Sequence, residues 1–162
     1  MNKYEEVIQS IFLSYDGQID LLTGALAPDQ FNQIVKRDLA MADRNSTQTA
    51  IISVVLNLQK YEQISHLFEL DKVKSDIENE LVQIYYELKN IFRQTDCICR
   101  VSKLGFWILL NGSSDEVTKR LIDRAQKSLP EFVQINPCQR LTNENLLDWF
   151  KRVDQIHFNN IK

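Results

Sequence analysis

Few side chains in this chain have both the type and the spacing for chemistry. The 162 residues include two histidines and three cysteines. Cys97 and Cys99 stand two apart and Cys138 lies far along the chain, which is neither a disulfide framework nor zinc-ligand spacing. In a strand, Cys97 and Cys99 would point to the same face, and buried thiols in a reducing compartment account for them. His66 and His157 are each isolated in the sequence, so neither builds a metal site or a triad. No cluster of acids and no nucleophile with a paired base stands out. The formal net charge of -3 and the lack of a basic stripe speak against nucleic acid. The longest apolar run is far short of the roughly 20 residues of a membrane span. The start, Met1 to Glu6, has no secretory pattern, so the expected location is cytoplasmic.

The elements that would position any site follow from periodicity. Val7, Ile8, Ile11, Phe12 and Tyr15 have helical spacing across residues 4–15, and Asp16-Gly17 breaks it. A second helix is predicted from Pro28, with Phe31, Ile34, Val35 and Leu39 on its apolar face. The β-branched run from Thr49 to Leu56 reads as a central strand covered on both faces. A long helix follows, striped by Ile77, Leu81, Ile84, Tyr85, Leu88 and Phe92. Two short apolar runs, 97–101 and 106–110, flank a hairpin turn at Ser102 to Gly105. Ser113 or Ser114 caps a helix that runs through Leu129 to Pro130. Residues 132–135 form a fourth short strand, and 143–158 a last helix. This order predicts an α+β sandwich: a mostly antiparallel central sheet of about five strands with helices on its faces. A chain of this length suits one folding unit.

Local motifs in this order resemble the GGDEF (diguanylate cyclase) domain. Asp20-Leu21-Leu22-Thr23-Gly24 is similar to the family's Asp-x-Leu-Thr-Gly entry, and Phe31 follows where the family keeps a phenylalanine. Leu56-Asn57-Leu58-Gln59-Lys60-Tyr61 resembles the strand end written Leu-Asp-Leu-Asp-x-Phe. Arg93-Gln94-Thr95-Asp96 matches Arg-x-x-Asp, and Arg100 precedes Ser102-Lys103-Leu104-Gly105-Phe106 at the spacing of the signature hairpin. Val153 to Phe158 resembles the final-helix pattern. The match covers about residues 20–160, with about four extra residues between His66 and Glu78. It divides the chain into a lead-in helix, 1–19, and a GGDEF-like domain, 20–162.

The resemblance implies what the chemistry needs. A diguanylate cyclase must hold GTP with a divalent metal, and hard cations need carboxylate oxygens. Here the strand-end position is Asn57, and the third and fourth signature positions are Leu104 and Gly105. The two phosphate glycines are replaced by Ser102 and Lys103, and only Phe106 keeps its letter. The guanine-reading pair falls at Ser65 and His66, and a neutral histidine cannot accept two hydrogen bonds from a guanine edge. The expectation is therefore an inactive homologue, with no catalytic residue, metal or cofactor.

One family site is expected to survive. Arg-x-x-Asp marks an inhibitory site for cyclic di-GMP in many such domains, here Arg93 and Asp96, with Arg124 as a second arginine. A guanidinium forks onto phosphate or a guanine edge. Arg93 is equally favoured by the dipole at a helix end, and the pair equally suits a surface salt bridge. The second expectation is a regulatory domain in bacterial signalling that docks a protein partner, with a homodimer through the lead-in helix as one form of it. That helix could instead pack on its own domain. Trp107 and Trp149 are the large side chains for an interface, with Trp107 the better core candidate and an exposed patch at Trp149 favouring docking.

Overall fold

The computed structural model describes residues 2–66 and 68–161. Met1, Leu67 and Lys162, which fall within the expected domain ranges, lie outside the described residues. The order is α1 (Lys3–Ser10), β1 (Tyr15–Asp16), β2 (Ile19–Asp20), α2 (Pro28–Asn45), β3 (Thr49–Leu56), α3 (Leu58–Ser65), α4 (Leu70–Ile91), β4 (Cys97–Ser102), β5 (Gly105–Asn111), α5 (Asp115–Ser128), β6 (Val133–Gln139) and α6 (Leu146–Ile161).

Residues 49–56 are buried along their whole length because β3 is central: the sheet runs β4-β5-β3-β6, every pair antiparallel. Alternate residues of β3 then feed two cores. Ala50, Ile52, Val54 and Leu56 pack with Val7 of α1, the α4 stripe from Val73 to Ile91, and Leu121, Ile122 and Ala125 of α5. On the other face, Ile51, Trp107 and Cys138 pack with Phe31, Val35 and Leu39 of α2 and with Trp149 and Val153 of α6. The sheet is thus sandwiched between helices.

The main sheet has four strands, where about five were expected; a separate ribbon pairs β1 with β2. The free edge of β4 is touched by a single parallel bridge, Leu26 to Cys99. The Leu26 N–H donates to the Ile98 carbonyl at 2.9 Å, and the Arg100 N–H donates to the Leu26 carbonyl at 3.1 Å. No strand grows there because α2 begins two residues later at Pro28, which has no N–H to extend a ladder.

Four boundaries differ from periodicity, among them the last helix, which begins at Leu146 rather than residue 143 because Asn143 turns left-handed at φ 62°. The first helix stops at Ser10, with Ile11 already extended. The helix after β3 is two helices, separated where His66 turns left-handed at φ 56°. β6 runs on through Pro137 to Gln139, which its edge position allows.

Candidate functional site

The β4–β5 hairpin is anchored from beneath by an ion pair. Both carboxylate oxygens of Asp20 accept from Arg100 Nη1 at 3.1 Å, and both side chains are fully buried. Asp20 also accepts from the Thr23 N–H at 3.0 Å and the Thr23 hydroxyl at 2.7 Å, and Gly24 supplies the positive φ, 87°, that closes this turn. Arg100 Nη2 donates to the Lys103 carbonyl at 2.9 Å, so the arginine ties the hairpin tip to the Asp20–Gly24 turn.

Each tip residue has a structural partner. The Ser102 hydroxyl bonds His157 Nε2 at 2.8 Å, and the opposite ring nitrogen bonds the Ser53 hydroxyl at 2.8 Å. Lys103 Nζ donates to the Gln9 carbonyl. The Leu104 side chain is 1% exposed and part of the first core. Gly105 lies under the His157 ring: a Cβ there would stand 2.5 Å from Cε1 and 2.6 Å from the Val54 carbonyl oxygen. Asn57 caps α3 by accepting from the Lys60 N–H at 2.9 Å.

Sequence spacing left Ser102 without a base and His157 without a partner, and the fold joins them across 55 positions. The pair is poorly suited to nucleophilic catalysis. Burial lowers the His157 pKa to about 4, and Nδ1 faces a hydroxyl rather than a carboxylate that would stabilise an imidazolium.

The second candidate lies where α4 ends. Asp96 accepts from the Arg93 N–H at 2.8 Å and from its guanidinium at 3.2 and 3.0 Å. Arg93 Nη2 also donates to the buried Ser113 hydroxyl at 2.6 Å, while the neighbouring Ser114 caps α5. The Asp96 side chain is 1% exposed and that of Arg93 46%, so the acid anchors a guanidinium that faces solvent. A groove of about 290 Å³ opens beside it, walled by Tyr85, Lys89, Arg93, Asp96 and Cys97. Arg124 is exposed on α5 and does not line this groove.

Ser65 ends α3 and His66 is its left-handed cap. The cleft beside His66 is also lined by Tyr4, Gln59, Glu62, Gln63 and Phe68. The N-terminal helix closes one side: Lys3 and Tyr4 both bond Glu62, at 2.5 and 2.6 Å, and Val7 is buried in the core. Thus α1 packs on its own domain. Trp149 is fully buried, its indole N–H donating to the Cys138 carbonyl at 3.1 Å, so it forms no exposed patch that would favour docking; α6 turns this face onto the sheet. Trp107, at 6% exposed, is in the core as expected.

No protein-family model and no curated protein matches this sequence. Solved structures do. The GGDEF domain of FimX from Pseudomonas aeruginosa superposes with a TM-score of 0.73 at 15% identity, over 88% of this chain and 93% of that one. The GGDEF domain of DgcB from Caulobacter crescentus, in complex with c-di-GMP, gives 0.71 at 11% identity, over 91% and 92%. This chain has the GGDEF-domain fold. The diguanylate cyclase SiaD from P. aeruginosa, in complex with its activator SiaC, gives 0.71 at 14% identity over 88% of this chain, but only 57% of the SiaD chain is spanned. Within the GGDEF fold, the residues that the sequence aligns with the signature form the β4–β5 turn. Among the described residues, no helix is long and apolar enough to cross a membrane.

Proposed function

We propose that this chain is a non-catalytic regulatory domain of GGDEF fold in bacterial signalling, which acts by binding rather than by turnover. The observation that carries the reading is the hairpin tip. Where a cyclase needs acids for metal and glycines for phosphate, Leu104 is a core residue, Gly105 has no space for a side chain, and Ser102 and Lys103 hold neighbouring elements. A metal-bound triphosphate requires carboxylate oxygens that these positions do not offer. A protein partner is the first expected ligand. SiaD, of the same fold, was captured with its activator SiaC. An apolar segment suited to contact is Phe12, Tyr15, Ile19 and Leu21, each 38–52% exposed around the β1–β2 ribbon. The reading is tested by titrating the protein with GTP and magnesium: absence of saturable heat at high micromolar nucleotide is expected, and tight binding would overturn it.

A second reading is favoured by the groove at Arg93. It combines a solvent-facing guanidinium, the Lys89 ammonium and the Tyr85 ring, a set that suits an anionic, planar ligand such as cyclic di-GMP. DgcB was solved with c-di-GMP. Arg124 would join only from outside the groove. Micromolar binding of cyclic di-GMP that disappears in Arg93→Ala supports this reading. Absence of binding eliminates it and leaves the protein-partner reading standing.

A further inference from the structure

A pocket of about 220 Å³ lies on the other face of the sheet, away from the Arg93 groove, between the start of α2, the end of β4 and α6. Its walls include Phe31, Trp107, Phe150 and Phe158, with Asp154 beside them. Trp107 meets Phe150 at 70° with centroids 5.3 Å apart, and Phe31 at 62° and 6.4 Å. Rings set at such angles stand as walls to one another rather than as a stack.

Asp154 is the unusual member. Asp43, Asp96 and Glu144 pair with Arg140, Arg93 and Arg152. Asp154 has neither hydrogen bond nor ion pair among the described residues, and burial alone, with no charged neighbour contributing, raises its pKa. Asp154 is exposed at the rim of the pocket, so its carboxylate keeps water on one side and has no cation of its own on the other. Trp107 Nε1–H is also buried without a hydrogen-bond partner. Aromatic faces and a carboxylate together make the chemistry that attracts an organic cation. The volume is below the roughly 300–1,000 Å³ of pockets for drug-sized ligands, which fits a headgroup instead.

We propose that this pocket binds a small organic cation of the ammonium or guanidinium class, held between the Trp107, Phe150 and Phe158 rings and the Asp154 carboxylate. The site is separate from both readings of function given above and stands or falls without them.

The test is isothermal titration of the full chain with choline chloride, butylammonium and N-acetyl-argininamide into the low millimolar range, each arm separating one cation type. The neutral choline isostere 3,3-dimethylbutanol is the control. Saturable binding of at least one cation is expected, weaker by about tenfold for the isostere in place of choline and in Asp154→Asn. Asp154 and Phe158 are both exposed, so Asp154→Asn and Phe158→Ala leave the fold intact, which a thermal melt checks. Phe158→Ala is expected to weaken binding as well. No saturable binding of any of the three cations, equal affinity for choline and its isostere, or unchanged affinity in both variants would overturn the proposal.

Discussion

Gly105→Ala should destabilise the fold although it adds one methyl group. The added Cβ would lie 2.5 Å from His157 Cε1, 3.0 Å from Nε2 and 2.6 Å from the Val54 carbonyl oxygen. The last contact is with the backbone of the central strand, which cannot turn aside as a side-chain end can. The ring cannot move freely either, because hydroxyls of Ser53 and Ser102 hold its two nitrogens at 2.8 Å each. Overpacking a filled site costs about 1–3 kcal/mol, and each buried hydrogen bond broken adds about 1 kcal/mol. Against this, replacing glycine lowers unfolded-chain entropy and returns only about 0.4–1 kcal/mol. The net expectation is a loss of about 2–4 kcal/mol, a large share of the roughly 5–15 kcal/mol of an ordinary domain. Urea denaturation of wild type, Gly105→Ala, His157→Ala and the double variant measures it as a cycle. In the His157→Ala background the ring clash is gone and the cost should shrink to what Val54 imposes. A Gly105→Ala variant within about 0.5 kcal/mol of wild type would refute the argument.

Other outcomes follow from the same core. Asp20→Asn leaves the Arg100 charge buried without its counter-ion, and should cost about 3–5 kcal/mol in the same denaturation assay; an unchanged midpoint would contradict the ion pair's role. His157 titrates near 4 in the fold against 6.5 unfolded, so the unfolded state binds the proton first. Its neutral form therefore contributes stability that is complete above pH 6.5 and is lost as pH falls through 4, by about 3 kcal/mol in full. The groups facing the ring are the hydroxyls of Ser53 and Ser102 and the rings of Trp107 and Phe158, none of them charged at these pH values. Denaturation at stepped pH in wild type and His157→Phe checks this; an identical pH dependence in both would refute it.

Much of the architecture was legible because burial leaves period in sequence. The run from Thr49 to Leu56 is the central strand residue for residue, since a strand covered on both faces must be continuously apolar. The Ile77 to Leu88 stripe and the capping serine before Asp115 were read for the same kind of reason. The break at His66 is not, because nothing in Ser65-His66 announces a left-handed residue as glycine or asparagine would. Whether Trp149 stays available for an interface is not legible in the sequence, because its face on α6 depends on which side of the sheet the helix lands. At the site, the Arg93–Asp96 pair was readable from local spacing. Its link to Ser113 was not, nor was the Ser53–His157–Ser102 bridge, because contacts 20 to 104 positions apart carry no period.

The proposed role of this GGDEF fold, binding without turnover, is tested most directly on the cyclase reaction itself. The direct measurement is incubation of the purified chain with GTP and magnesium or manganese, with separation and mass detection of cyclic di-GMP over hours. The account predicts no product above a protein-free control. Product formed in proportion to protein, and lost when Ser102 and Lys103 are replaced, would contradict it.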